Sequence, residues 1–153
     1  LPNGEKYRES ATVRPGDGAA VADTPWGRLG LTICYDIRFP HLHRQLAKAG
    51  ASMIAVPAAF TVPTGEAHWE VLLRARAIEA GAFVLAPAQG GLHEDGRRTW
   101  GRSTVVGPWG EILAKADHDD PCVLKAKLDM EAAAKARTAV PALTHDRDFL
   151  PAR

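Results

Sequence analysis

Cysteine is scarce in this 153-residue chain, and its two cysteines, Cys34 and Cys122, do not make a disulfide framework. We therefore expect the protein to work in a reducing compartment, with the cytoplasm as the default. Hydrophobic residues make up 46% of the chain, which is enough for the core of one compact domain without disulfides or metal ions.

The chain also has neither an excess of charge of one sign nor a long apolar run. The chain has 19 Lys and Arg residues against 18 Asp and Glu residues, a formal net charge of +1. A nucleic-acid partner normally requires a strong basic excess or a basic stripe. No apolar run approaches the roughly 18 residues of a membrane span, and no signal-peptide pattern is present. We therefore expect neither a nucleic-acid partner nor a membrane partner.

Strand and helix patterns alternate along the chain, with hairpins among them, which predicts an α/β fold with a mixed sheet and helices packed on it. The predicted elements are hairpins at 19–33 and 102–116, buried strands at 52–60 and 82–88, an edge strand at 122–128, and helices at 40–49, 66–81 and 129–139. Residues 140–153 are predicted to form an extended tail, of the kind that often docks on a partner subunit.

The stretch "LGLTICYDIRFP", residues 29–40, places Cys34 where a predicted strand ends and a helix begins a few residues later. A strand-to-helix elbow exposes its apex residue, and a nearby helix N-terminus favours the reactive thiolate. The alternative is a small buried hydrophobe, because free cysteines are among the most buried residue types. Cys122 has no such setting and is interpreted as structural.

A nucleophilic cysteine needs a proton acceptor, and the six histidines do not supply an evident one. None lies in a convincing apolar pocket by its sequence pattern. His41 and His43 are two residues apart on a predicted helix, so they do not share a face, which also argues against a zinc site. We expect no metal ion and no organic cofactor.

Charged residues near the elbow are the other candidates. Glu9, in "YRES", is either a solvated loop acid or a group that takes part in the chemistry. Asp36 is expected to cap the following helix. Arg38 either forms a salt bridge with an acid such as Asp36 or holds a substrate carboxylate with its guanidinium fork.

Three ordered blocks of sequence together resemble one known family. The blocks are "GRLGLTICYDIRFP", "AHWEVLLRARAIEAGAFVLAPAQ" and "WGRSTVVGPWGEILAKA". They resemble the carbon–nitrogen hydrolase (nitrilase) superfamily, and within it the Nit-type ω-amidase branch, which includes amidases of deaminated glutathione. The resemblance runs from about Leu1 to Phe149 and implies half of a four-layer αββα sandwich. It also implies that residues 1–153 are the C-terminal portion of a single domain, and that the protein forms a homodimer or a higher homo-oligomer.

The resemblance also implies a chemistry. The family's cysteine attacks an amide carbonyl, a glutamate moves protons, a lysine stabilises the oxyanion, and water resolves the thioester. Cys34 matches the nucleophile, and the backbone N–H of Tyr35 is expected to help form the oxyanion hole. Glu9 matches a second glutamate that lies near the nucleophile in many members of the family. Arg38 matches a position suited to binding a substrate carboxylate, and Phe60 and Thr64 match positions that line the pocket.

The chain departs from the family at two positions. The general-base glutamate and the lysine have no match in it, and Lys6 lies outside the lysine block. We therefore expect this chain to be inactive or nearly inactive by itself. For the parent amidase, the resemblance implies a small carboxylated amide as the substrate. The alternatives are a nitrilase or another amidase of the same superfamily, or a truncated, non-catalytic binding or assembly module.

Overall fold

A six-stranded mixed sheet forms the centre of the fold in the computed structural model, which describes residues 13–148 and 150. The strands are β1 Ala20–Thr24, β2 Gly27–Leu31, β3 Ala51–Ala55, β4 Phe83–Ala86, β5 Gly90–Leu92, β6 Arg98–Trp100, β7 Thr104–Val106 and β8 Ile112–Lys115. Their order in the sheet is β1-β2-β3-β4-β7-β8, and β5 pairs with β6 in a separate two-stranded sheet. Strands β2, β3 and β4 are parallel, and the other pairs are antiparallel. The predicted α/β fold with a mixed sheet is confirmed.

The helices begin and end close to the positions predicted from the sequence. They are α1 Pro40–Lys48, α2 Val62–Thr64, α3 Glu70–Ala80 and α4 Glu131–Ala139, with a π-helical turn Gly65–Trp69 between α2 and α3. Helix α1 begins at a proline, whose missing N–H would be unpaired there in any case. Helix α3 ends at Gly81, whose φ of +53° is the left-handed conformation that favours glycine. Within the described ranges, none of the helices has the length and apolar character to span a membrane.

The main core lies between one face of the sheet and helices α1 and α3. Leu46 of α1 and Leu73 of α3 pack with Ile54 and Val84 of the central strands, and all four are fully buried. Burial of side chains of this size contributes about 1.5–3 kcal/mol each. This core fixes the carboxyl ends of β2, β3 and β4 relative to one another.

The opposite face of the sheet carries a smaller apolar cluster under α4. Ala133 of α4 packs with Met53 and Phe83. Arg137 of the same helix donates from Nε to the Ala80 carbonyl at 3.1 Å and from Nη2 to the Ala51 carbonyl at 2.5 Å. These two bonds attach α4 to the beginning of β3 and the end of α3.

The strand predicted at 122–128 is absent from the described structure, so that prediction is wrong. The segment pairs with no strand there, although Leu128 packs against the Met53–Phe83 cluster. Alternation of apolar and polar residues indicates that one side of a segment is buried. It does not show that a neighbouring strand is available to pair with it.

A short hairpin of β5 and β6, by contrast, was not predicted. Strand β5 consists mostly of glycine, and each strand has only three residues, which is too short to show the alternation that marks a strand. Backbone bonds hold it in place instead: Trp100 donates to the Phe60 carbonyl at 2.8 Å, and Gly101 donates to the Gln89 carbonyl at 3.0 Å. The hairpin therefore lies beside the segments that follow β3 and β4.

The predicted tail contacts its own chain. A 3₁₀ turn covers Ala142–Thr144, and Asp146 then accepts a hydrogen bond from Arg44 Nε at 2.7 Å. Lys48 pairs with the same carboxylate. The tail is therefore held on α1 as far as residue 146, and a role in contacting a partner subunit stays a prediction.

Candidate active site

Cys34 lies at the apex of a sharp turn between β2 and α1, as the sequence predicted. Residues Cys34–Arg38 form a 3₁₀ helix, which we call the Cys34 turn. Cys34 has a φ of +47°, a left-handed conformation that is uncommon for residues other than glycine and costs on the order of 1–3 kcal/mol. Its N–H donates to the Pro57 carbonyl at 2.8 Å. Asp36 stabilises this turn itself, because its Oδ2 accepts from the Ile33 N–H at 2.9 Å. The prediction that it caps the following helix is wrong, since α1 has no side-chain hydrogen bond at its N-cap.

The half-buried Cys34 lines an open cavity of about 520 Å³. The walls come from the segments that follow β2, β3 and β4, which include Cys34, Ala58 and Gln89, and from Arg97 just before β6 and Ser103 just before β7. Carboxyl ends of parallel strands are the usual place for binding sites in open α/β sheets. The Ser103 hydroxyl accepts a hydrogen bond from the Ala88 N–H at 2.9 Å and so joins two of these walls.

A second cavity, of about 360 Å³, shares Ala88, Gln89 and Ser103 with the first. Cys122, His93 and Asp119 are among its other lining residues, and Asp119 is paired with Arg102 at 2.8 Å. In the part of the chain that the structure describes, no cluster of His, Cys, Asp and Glu could hold a metal ion.

Arg38 is the last residue of the Cys34 turn, but it does not line the Cys34 cavity. Its guanidinium lies 5.6 Å from the ring centre of Tyr35 and 5.3 Å from that of Phe60, and its Nη2 donates to His68 Nδ1 at 3.3 Å. Among the described residues it forms no ion pair, so the salt bridge with Asp36 is wrong. Its role toward a substrate carboxylate stays a prediction.

The other predicted site residues are only partly brought together. Phe60 is buried against Trp69, with ring centres 5.0 Å apart, and it contacts the Arg38 guanidinium. Thr64 shares a hydrogen bond of 2.8 Å with Thr61 and does not line the Cys34 cavity. Glu9 lies outside the described residues, so its predicted role is not examined by the structure.

Some residues around the site were missed from the sequence. Gln89, Arg97 and Ser103 line the cavity, and only Gln89, directly after a predicted buried strand, had a position that could have indicated this. His43 is also buried, with 1% of its surface exposed, which corrects the expectation that no histidine lies in an apolar pocket. Its spacing from Leu46, three residues on along α1, was the available signal.

The surroundings of His43 favour the neutral form of its imidazole. Its Nδ1 donates to the Phe39 carbonyl at 3.1 Å, and its buried Nε2 meets no hydrogen-bond partner among residues 13–148 and 150. Burial lowers the pKa of His43 below its ordinary value of 6.5, and the positive charge of Arg76 lowers it further. The hydrogen bond to Phe39 and the charges of Asp36 and Glu79 act in the opposite direction but do not offset the burial.

This histidine should make the free energy of unfolding depend on pH. Because the pKa of His43 is lower in the folded state, its contribution is fully present above about pH 6.5 and is lost as the pH falls toward the folded pKa. We expect the wild-type chain to lose stability as the pH falls below about 6.5, and His43→Asn to lose less over the same range. Urea unfolding of both proteins across this range is the measurement. If the free energy of unfolding changed equally with pH in both proteins, the pH dependence could not be assigned to His43.

Comparison with known proteins identifies the family. Residues 1–138 match the family model described as carbon-nitrogen hydrolase. The deaminated glutathione amidase of Yersinia enterocolitica is 51% identical over 142 residues, which is 93% of this chain and 49% of that protein. The chain thus spans about half the length of the relatives it matches.

Solved structures agree with this comparison. The NitFhit protein of C. elegans superposes with a TM-score of 0.87 at 42% identity, covering 96% of this chain and 36% of that one. An amidase from Nesterenkonia sp. AN1, which carries the product of Michael addition of acrylamide at its active-site cysteine, has a TM-score of 0.71 at 31% identity. That match covers 87% of this chain and 52% of the amidase. The chain therefore belongs to the carbon–nitrogen hydrolase family.

Proposed function

We propose that this chain carries the nucleophile of an amidase that hydrolyses the C–N bond of a small carboxylated amide. The substrate is deaminated glutathione or an α-keto acid ω-amide. The observation that carries the proposal is the position of Cys34, at a left-handed apex facing a cavity at the carboxyl ends of three parallel strands. The relative named deaminated glutathione amidase and the adduct on the Nesterenkonia cysteine support the same chemistry.

In the proposed reaction the Cys34 sulfur attacks the amide carbonyl, and a tetrahedral intermediate forms. Ammonia or an amine leaves with a transferred proton, and water then hydrolyses the thioester. The backbone N–H of Tyr35 donates to the oxyanion, where a preorganised donor stabilises developing charge. Glu9 is the carboxylate of this chain that we propose takes part next to the nucleophile.

Recognition of the substrate carboxylate is proposed for Arg38. Its guanidinium lies 5.6 Å from the ring centre of Tyr35 and 5.3 Å from that of Phe60, beside the turn that carries Cys34. A guanidinium can bind a carboxylate with two parallel hydrogen bonds. Phe60 and Thr64 are proposed to shape the same pocket.

The resemblance implies that the family's general-base glutamate and lysine have no counterpart in this sequence. We therefore propose that the 153 residues hydrolyse amides only together with those two groups, as the C-terminal portion of one domain. A chain without proton transfer and oxyanion stabilisation is expected to be slower by many orders of magnitude.

The test compares the 153-residue chain with a fusion that adds the half of the Yersinia enterocolitica relative that this chain does not match. We expect the fusion to release product from deaminated glutathione and from an α-keto acid ω-amide, and the chain alone to release almost none. A matched nitrile is assayed in parallel. Consumption of the nitrile alone would favour a nitrilase, and full activity of the isolated chain would contradict the need for the additional groups.

A further inference from the structure

We propose that Arg76 and His43 are positioning residues, which hold the Cys34 turn with its left-handed apex in place through two hydrogen bonds donated by buried side chains. This inference rests on the proposed function, because it assigns a role relative to the reaction of Cys34. Neither residue lines the Cys34 cavity, so both act through the backbone of the turn and not on the substrate.

The two bonds come from the two helices that cover the sheet. Arg76 of α3, with 6% of its surface exposed, donates from Nε to the Ile37 carbonyl at 2.7 Å. His43 of α1 donates from Nδ1 to the Phe39 carbonyl at 3.1 Å. One acceptor is the fully buried Ile37 inside the Cys34 turn, and the other is Phe39, the residue that directly follows the turn.

A left-handed cysteine needs such support. A residue in a sparsely populated φ/ψ region persists only where the surrounding structure over-determines it. On the amino-terminal side, the Cys34 N–H is bound to Pro57 and the Ile33 N–H to Asp36. Arg76 supplies the corresponding restraint on the carboxyl-terminal side, together with His43. Loosening of the turn would displace both the Cys34 sulfur and the N–H groups that follow it.

The alternative is that Arg76 only stabilises the core. Its Nη1 pairs with Glu79 at 2.7 Å, so the guanidinium also takes part in an ordinary i,i+3 ion pair. A residue of that kind would be sensitive to any loss of charge or volume. A positioning residue would be sensitive specifically to loss of the donor at the Nε position.

Isosteric pairs of variants separate these two roles. Arg76→Gln retains an N–H donor where Arg76 has Nε, and Arg76→Met has the same length without the donor. His43→Asn retains a donor at the Nδ1 position, and His43→Leu does not. Arg74, on the same helix, donates from Nε to the Gly110 carbonyl at 2.8 Å, so Arg74→Met removes a similar bond away from the turn.

The first readout needs no amidase activity. Alkylation of Cys34 and Cys122 by iodoacetamide is followed by mass spectrometry on the 153-residue chain, well below its unfolding temperature. In Arg76→Met and His43→Leu we expect the half-buried Cys34 to react on the order of tenfold faster, because the released turn exposes it. The exposed Cys122 should be unchanged. Arg76→Gln, His43→Asn and Arg74→Met should resemble the wild type.

The second readout is steady-state hydrolysis by the fusion protein. We expect kcat to fall on the order of 100-fold in Arg76→Met with little change in KM, because a misplaced nucleophile affects the chemical step. Arg76→Gln should recover most of the rate. Equal losses in Arg76→Gln and Arg76→Met, or in Arg74→Met and Arg76→Met, would overturn the positioning role.

The two readouts also distinguish this inference from the proposed function. If the wild-type fusion hydrolyses no amide but the alkylation pattern is as expected, the proposed function fails while the support of the turn is established. If the fusion is active but Arg76→Gln and Arg76→Met give the same alkylation rate and the same kcat, the proposed function is supported and the positioning role is wrong.

Discussion

Replacement of Cys34 by alanine is expected to abolish amide hydrolysis by the fusion protein, with a loss on the order of 10⁵-fold or more in kcat. The hydroxyl of Ser103 also lines the cavity but is hydrogen-bonded to the Ala88 N–H, and the thiol of Cys122 lines the neighbouring cavity, so neither is expected to replace Cys34. Serine at this position should also be close to inactive, because a hydroxyl is a far weaker nucleophile than a thiolate without a base that activates it.

Cys122→Ser is the matched control for this experiment. Cys122 is exposed and lines the neighbouring cavity, so its loss should leave the rate within about twofold of the wild type. Substrate turnover would be followed together with the intact mass, which detects an acyl group on the protein. An acyl adduct on Cys122, or retention of activity by Cys34→Ala, would disprove the assignment of Cys34.

Trp69→Ala is expected to produce the largest loss of stability from a single substitution in the core, about 3–5 kcal/mol. Trp69 has 1% of its surface exposed and packs against Phe60, and its Nε1 donates to the Arg102 carbonyl at 2.9 Å. The substitution removes the buried ring and one of the two hydrogen bonds that the Arg102 carbonyl accepts, and the Thr104 hydroxyl continues to donate the other at 2.8 Å. Since whole domains are stable by about 5–15 kcal/mol, this loss is a large fraction of the total free energy of unfolding.

Urea unfolding of the chain measures this effect, and Trp109→Ala provides the control. Trp109 has 63% of its surface exposed, so its replacement should change the free energy of unfolding by about 0.5 kcal/mol or less. Trp69→Phe retains most of the ring contact and should cost about 1 kcal/mol, close to the value of the lost hydrogen bond. Equal destabilisation by the two alanine variants would contradict this account.

Local sequence rules predicted most of the elements that carry the site. The hairpin of β1 and β2, the start of α1 at Pro40 and the end of α3 at Gly81 all depend on residues adjacent to them. The wrong or missing strand predictions concern segments whose pairing depends on residues distant in the sequence. Residues 122–128 have the alternation of a strand but no partner in the described sheet, and β5 and β6 are held by bonds to Gln89 and Phe60.

In the candidate site, too, positions that depend on adjacent residues could be predicted, and positions that depend on distant residues could not. The apex position of Cys34 follows from the strand before it and the helix after it, so the sequence could predict it. The direction of the Arg38 side chain depends on rings at Tyr35 and Phe60, and the burial of Arg76 depends on the packing of α3 against the turn. Such contacts join separate elements, and a periodicity within one element carries no information about them.

The parallel arrangement of β2, β3 and β4 has a consequence for folding kinetics. Antiparallel β1 and β2 are joined by a two-residue turn and can pair as soon as both strands exist, on a timescale of roughly 1–10 μs. Each parallel pair instead waits for a complete crossover, α1 in one case and α2 with α3 in the other. Loop-closure entropy then opposes these pairings until the crossover helices pack. The cavity beside Cys34, whose walls need all three strand ends, therefore forms late in folding.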